Sequence, residues 1–226
     1  MLAVVTKHNA FLYRDALTQM FRLRHRIFVE RMGWEALRRA DGMDKDQFDN
    51  AEAIYLVLLD EEGTVIGTHR LLPTVRPHLF TDLFADFCNV KGIQVGPKVY
   101  ELNRTCVDEE RLPRDKREWA RKQIMAGLME FGVYAGIEQF TVLTPLDILF
   151  RYLLIGWDIK PLGVPREVDG VKQAAVAVRV DEAALKAVRE AFDVRSQIVT
   201  HIGPVPITGE PIEFLSGFER QHALVN

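Results

Sequence analysis

The apolar positions of this chain change period several times, and each change marks a new element. Residues 2–5 form a short uninterrupted apolar run, which predicts a strand. Over 12–31 the apolar residues recur every three to four positions, at Leu17, Met20, Phe21, Ile27 and Phe28, as an amphipathic helix requires. Gly33 breaks that helix before Trp34, and 35–52 is rich in charge with scattered apolar positions, which predicts a loop. Residues 53–59 are apolar almost throughout, as expected of a strand near the middle of a sheet. The turn signal Glu61-Glu62-Gly63 and a second strand over 65–72 complete a hairpin, in which Ile66, Thr68, Arg70 and Leu72 share one face. The stretch 73–98, punctuated by Pro73, Pro77, Gly92, Gly96 and Pro97, reads as a connection with a single helical turn.

A strand over 99–107 follows and carries Glu101 and Arg104. Strict alternation puts those two on opposite faces, whereas a β-bulge between them would turn both toward one site. A long helix is predicted over 114–135, ended by Gly136, with Ala120, Ile124, Gly127, Leu128 and Phe131 as its buried stripe. After a strand over 140–143, Thr144 and Pro145 read as cap and first residue of a helix that stops at Gly156. Strands over 157–162 and 172–180 and a last helix capped by Asp181 complete the pattern. The expected organisation is an α+β mixed sheet flanked by helices, one domain over 1–192 with an irregular C-terminal extension over 193–226.

Composition narrows the function. A chain of 226 residues, 48% hydrophobic, can bury a substantial core. Its net charge of −3 argues against general nucleic-acid binding, which rests on a basic surface. Two cysteines, Cys88 and Cys106, make neither a disulfide framework nor a metal pattern and suit a reducing cytoplasm. No secretory signal pattern and no apolar run long enough to span a bilayer is seen, so no membrane association is expected. Phosphate loops, dinucleotide fingerprints, zinc-hydrolase helices and nucleophile elbows are all missing, and the six histidines fall at no metal-ligand spacing.

The candidate chemistry gathers in 21–50. Arg24 lies on the apolar stripe of its helix, three residues after Phe21 and four before Phe28. A guanidinium on that side needs carboxylates or an anionic ligand. Asp46 and Asp49 follow in the loop, and Trp34, between Arg24 and these acids, can stack on a flat base or a cation. This set suits a pocket for a zwitterionic, aromatic ligand; it equally suits a helix pinned to its loop, with Trp34 as core. Arg70 is a second arginine among apolar neighbours, and could equally be an edge charge reaching water. The basic first half of the long helix, with Arg117, Arg121 and Lys122, reads either as a solvated face or as a dock for an anionic partner.

Taken together, Arg24, Phe28, Trp34, Asp46, Asp49, Arg70, Glu101 and Arg104, within the segments RLRHRIF, GW, DQFDN and ELNR, resemble the N-acyl-homoserine-lactone synthases, the autoinducer synthases of bacterial quorum sensing. The resemblance runs over about 4–180. It implies a GNAT-like acyltransferase fold, a twisted mixed sheet with helices on its faces. It implies a cytoplasmic enzyme that acylates S-adenosylmethionine from an acyl-CoA or an acyl-carrier protein and closes the lactone, releasing methylthioadenosine. S-adenosylmethionine is then a substrate, and no cofactor is expected. Glu101 becomes the base for the substrate amine, with Arg104 beside it. Arg24, Phe28, Trp34, Asp46, Asp49 and Arg70 form the S-adenosylmethionine pocket. Thr144, Leu146 and Phe150 line the acyl pocket, although Thr144 could serve only as a cap. Arg117, Arg121 and Lys122 would dock a carrier protein. The segments FRLRH and LRRADG look like the subgroup that uses acyl-CoA with branched or aryl acids.

Overall fold

The computed structural model describes residues 1–207, and the part of the C-terminal extension from residue 208 lies outside them. The chain divides into two compact units. The first comprises residues 1–70, 104–128 and 196–207; the second comprises 71–103 and 129–195. Strands β3 (Val65–Pro73) and β4 (Val99–Val107) and helix α3 (Arg114–Tyr134) contribute to both.

In the first unit the strand order is β9-β1-β2-β3-β4, with β1 at Leu2–Val5, β2 at Ile54–Leu59 and β9 at Val199–His201. β1 pairs antiparallel with β2, Leu2 opposite Leu58, and parallel with β9, Leu2 opposite Val199. The extension expected to be irregular from Asp193 thus supplies a strand. Its sequence, Val199-Thr200-His201, is too short to show an alternation, and pairing with β1 is what orders it. All of β1 and β2 is buried, as continuous apolar runs require. In α3, Ala120, Ile124 and Leu128 are buried as the periodicity predicts. Gly127 lets the helix approach β1 closely, since a Cβ there would stand 2.2 Å from Leu2 Cδ2.

The helix expected over 12–31 begins with a 3-10 turn at Ala10–Tyr13, continues as α1 (Arg14–Arg24) and finishes as a π-helix over His25–Arg31. The wider winding, in which the Met32 N–H reaches the Ile27 carbonyl at 3.0 Å, buries Ile27, Phe28 and Val29 side by side. An α-helix would turn one of those three away from the core.

The second unit has the order β6-β8-β5-β4-β3, with β7 paired to β8 alone. Here β5 spans Gln139–Pro145, β6 Ile159–Pro161, β7 Arg166–Val168 and β8 Val171–Arg179. β4 and β5 are parallel, Glu101 opposite Thr141, whereas β5 and β8 are antiparallel, Thr144 opposite Ala174. Thr144 and Pro145 therefore extend the strand instead of opening a helix; the ladder with β8 continues through both, and Pro145 caps helix α4 (Leu146–Ile155) with extended backbone. Gly156, at φ 92°, ends α4. Asp181 caps α5 (Glu182–Phe192) as expected, its carboxylate accepting from the Ala184 N–H at 2.8 Å. The connection expected over 73–98 holds a helical turn, α2 (Leu79–Asp82), and a 3-10 turn at Ala85–Cys88. Phe80, Phe87 and Cys88 of this segment pack with Leu162, Ala175 and Ala177, which fixes the segment on the sheet. The α+β class with a mixed sheet and flanking helices is as expected. Among the described residues no helix is long and apolar enough to cross a membrane.

Candidate active site

Three arginines and three aspartates interlock in the first unit. Arg24 is wholly buried on α1; its Nη1 and Nη2 donate to Asp49 at 2.7 and 2.9 Å, and its Nε to Asp44 at 3.0 Å. Arg70, wholly buried on β3, donates to both oxygens of Asp46 at 2.6 and 3.0 Å and lies 3.0 Å from Asp49. Arg104 on β4 closes the network, giving its Nε to Asp44 at 2.7 Å and an Nη to Asp46 at 2.9 Å. The formal charges sum to zero, and most donors have bidentate or fork geometry, the arrangement that lets charge be buried.

Burial acts against every charge in the network, and the partners outweigh it. Desolvation alone would raise the Asp49 and Asp44 carboxyls, but Arg24 with Arg70, and Arg24 with Arg104, hold them well below the usual carboxylate range. Burial would likewise weaken the Arg24 guanidinium, and Asp49 and Asp44 raise it instead. At Arg104 desolvation wins over Asp44, with help from the nearby Arg70 and Arg24 charges, so its guanidinium lies below its ordinary value. The Tyr55 phenol, pushed up first by burial and then by the Asp49 charge, donates to Asp49 at 3.0 Å.

The six residues expected to form the S-adenosylmethionine pocket lie in this unit together with Arg104. Phe28 and Trp34 stack at 5.1 Å with 16° between their planes, and the Arg104 guanidinium lies 5.5 and 5.9 Å from their ring centres. Asp46 and Asp49 both bond the arginines and anchor their loop. Asp49 accepts from Arg24, Tyr55 and the Asp46 N–H, and Asp46 from Arg70, Arg104 and the Phe48 N–H. A carboxylate offers about four lone-pair sites, so both are nearly saturated by the protein itself. The acidic loop is pinned from below, and Arg70 is no edge charge. Asp44 is the member the sequence reading missed. The spacing DxDxxD in DKDQFD held the only signal, and nothing in it told an anchoring aspartate from a solvated one.

The β4 backbone departs from regular strand geometry at Arg104. Arg104 has φ 48°, left-handed for a residue with a Cβ. A left-handed residue resets the alternation, as in a bulge, at a cost of about 1–3 kcal/mol. The two bonds from Arg104 to Asp44 and Asp46 supply the constraint that holds it.

In the second unit Glu101 is 2% exposed. Its Oε2 accepts from the Phe80 N–H at 2.9 Å and its Oε1 from the Asn103 amide at 3.0 Å. A buried carboxylate with its orientation fixed by two donors is suited to take a proton at a defined place. Of the expected acyl-pocket residues, Thr144 is buried and its hydroxyl meets the Tyr152 phenol of α4, while Phe150 stands 65% exposed, so its ring lies largely on the outer surface. Leu146 is half-buried at the start of α4. The expected basic dock is occupied by its own neighbours: Arg117 donates to the Leu112 carbonyl, Arg121 to Glu109 at 2.8 Å, and Lys122 pairs with Glu118 at 2.9 Å.

The model of the autoinducer synthase family matches residues 8–188. The chain belongs to the autoinducer synthase family. It is 35% identical over 205 residues to the isovaleryl-homoserine lactone synthase of Bradyrhizobium diazoefficiens, covering 90% of each chain. A solved structure of a CoA-dependent acyl-homoserine lactone synthase, BjaI, with SAM and isopentyl-CoA, superposes with a TM-score of 0.83 at 34% identity, over 90% of this chain and 94% of that one. Another CoA-dependent acyl-homoserine lactone synthase, MesI, gives a TM-score of 0.80 at 28% identity, over 88% and 98%. The GNAT-like mixed sheet implied by the resemblance is this fold.

Proposed function

We propose that this autoinducer synthase draws its acyl group from CoA. The protein is an acyl-homoserine-lactone synthase: it acylates the amine of S-adenosylmethionine from an acyl thioester, closes the lactone and releases methylthioadenosine. The observation that carries the reading is the buried, charge-neutral network of Arg24, Arg70, Arg104, Asp44, Asp46 and Asp49 beside the Phe28–Trp34 stack, in a chain of this family. The network fixes the loop after Trp34, and the half-buried Trp34 ring is available to a sulfonium or an adenine.

The amine must be neutral to attack the thioester carbonyl, and Glu101 is the base that deprotonates it. Its two hydrogen-bond donors hold the carboxylate in one orientation, so the basic oxygen needs no reorganisation. Attack forms the amide C–N bond and breaks the C–S bond, and the thiolate leaves. Lactone closure then displaces methylthioadenosine from the γ-carbon. A sulfonium is already a good leaving group, so positioning contributes more than acid–base help at that step.

Two observations favour CoA over a carrier protein as donor. Of the side chains expected to dock a carrier, Arg121 and Lys122 are paired with Glu109 and Glu118 and Arg117 is turned to the Leu112 carbonyl, so those three offer an acidic carrier less charge than the sequence suggests. The CoA-dependent BjaI and the isovaleryl enzyme are also its strongly similar relatives, which favours a short branched acyl group. Thr144 sits on β5 where an acyl chain entering beside that strand would meet it. The enzyme works in the cytoplasm, where the buried thiols of Cys88 and Cys106 stay reduced.

The test is mass spectrometry of purified protein given S-adenosylmethionine with matched panels of acyl-CoA and acyl-carrier thioesters. Methylthioadenosine and a branched acyl-homoserine lactone, formed from the CoA panel, are expected. Turnover from the carrier panel alone would overturn the donor assignment, and acyl transfer to another amine would overturn the synthase reading.

A further inference from the structure

Helix α4 is almost entirely apolar in sequence, LDILFRYLLI, yet Tyr152 is the one side chain it buries. The Tyr152 phenol meets the Thr144 hydroxyl of β5, so the side of the helix that carries it faces the sheet. The opposite side is built from Asp147, Phe150, Arg151 and Leu154, which fall at i, i+3, i+4 and i+7 and make one continuous helical face. All four are exposed, Phe150 at 65% and Leu154 at 87%, and Leu153 on the flank stands at 48%. A helix of a folded domain ordinarily turns its apolar stripe toward the core. A contiguous apolar face turned outward marks an interaction surface.

The two charges of this face say what covers it. Asp147 and Arg151 carry opposite signs one turn apart, and neither has a hydrogen bond or an ion pair among the described residues. An anionic lipid surface or an acidic protein would pair with Arg151 and be repelled by Asp147. A second copy of the same face, laid antiparallel, satisfies both, because the acid of each copy meets the arginine of the other. With a two-fold axis through the middle of the face, between 150 and 151, the helical rise leaves Asp147 and Arg151 of the other copy about 4 to 5 Å apart along the axis. An arginine side chain spans that offset. The same axis brings the two Phe150 rings together at the centre, with a Leu154 on either side.

We propose that α4 is the interface of a homodimer, packed antiparallel against α4 of a second copy through Asp147, Phe150, Arg151 and Leu154. The inference goes beyond the synthase reading and does not depend on it. One helix pair buries less than the roughly 1,200–2,000 Å² of a standard stable interface, so the dimer is weak and forms in the micromolar range.

Sedimentation velocity of the full chain, from nanomolar to high micromolar concentration and without substrate, reads the association. A monomer–dimer equilibrium is expected, and a monomer at every concentration overturns the proposal. Leu154→Glu, at a position too exposed to disturb the fold, should weaken association about tenfold or more; an unchanged association constant overturns the surface. Asp147→Arg makes both charges of the face positive and Arg151→Asp makes both negative. Each variant alone should lose about tenfold or more in association, and an equimolar mixture of the two should regain it as a heterodimer. A mixture that stays monomeric overturns the antiparallel pairing. Where either single variant fails to unfold cooperatively, the double exchange of Asp147→Arg with Arg151→Asp takes its place. That protein should associate as the unmutated one does, and a monomer there overturns the pairing. Flotation with vesicles of phosphatidylglycerol and phosphatidylethanolamine tests the other covering. A monomer that floats with the vesicles, and no longer does so as Leu154→Glu, assigns the face to lipid and overturns the dimer.

Discussion

Asp44 offers the most direct test of the charge network. It is wholly buried and accepts from Arg24 at 3.0 Å and from Arg104 at 2.7 Å. Asp44→Asn keeps the shape and one acceptor but leaves three guanidinium charges against two carboxylates. At an effective dielectric of about 20, one unit charge 4 Å away is worth about 4 kcal/mol, and removing one partner of a buried pair costs about 3–5 kcal/mol. The Asp44 bond is also one of those that hold Arg104 in its left-handed conformation, so part of the loss returns as that backbone relaxes. The net expectation is about 3 kcal/mol. For a chain of this size that corresponds to a fall in Tm of about 10 °C. Differential scanning calorimetry of the pure protein reads it directly. The double variant Asp44→Asn with Arg104→Gln should be less destabilised than the sum of the two single changes, by about 1–3 kcal/mol, because the second change removes an arginine left without its partner. A loss below about 1 kcal/mol for Asp44→Asn, or strict additivity, would show that the network is solvated and would refute the argument.

Glu101→Gln should lower kcat by about 10²- to 10⁴-fold while S-adenosylmethionine binding by calorimetry is retained; near-normal turnover would remove the base assignment. The depressed Asp44 and Asp49 carboxyls contribute stability that is fully present above the unfolded carboxylate value near about 3.9 and is lost as pH falls through their folded values. Tm should therefore hold steady from neutral pH to about 5 and drop below about 4, and a Tm that rises on acidification would contradict the sign. Arg121→Glu should raise no KM for acyl-CoA and cost less than about 1 kcal/mol, since its partner Glu109 is partly exposed; a large rise in KM would restore α3 as a docking face. Gly132→Ala puts a Cβ 2.8 Å from both Phe140 and Val180 and should destabilise by about 1–3 kcal/mol, measured as a Tm shift with the KM values unchanged.

Much of the fold was legible because it depends on period and punctuation. β4 runs over the predicted residues, α3 ends within a residue of its predicted end, and Asp181 caps α5 as its position before a helical pattern requires. The misses share one cause, partners distant in sequence. Thr144-Pro145 carries a strong helix-start signal, yet the ladder with β8 keeps both residues extended. Val199–His201 has no strand signal of its own and is ordered by β1. The π-helix at His25–Arg31 answers to three adjacent apolar residues that a core must bury together.

The site divides along the same line. The sequence by itself named the arginines, the aromatics, Asp46, Asp49 and Glu101, because residue type and local order carry that information and the family pattern rests on it. Only the tertiary structure decided what those groups do to one another. It committed Asp46 and Asp49 to the arginines, added Asp44 between Arg24 and Arg104, bent β4 at Arg104, and set Glu101 against the Phe80 N–H. Whether a buried charge is a ligand contact or a structural bond depends on the few ångströms between partners brought together from separate segments, and spacing along a chain does not encode those distances.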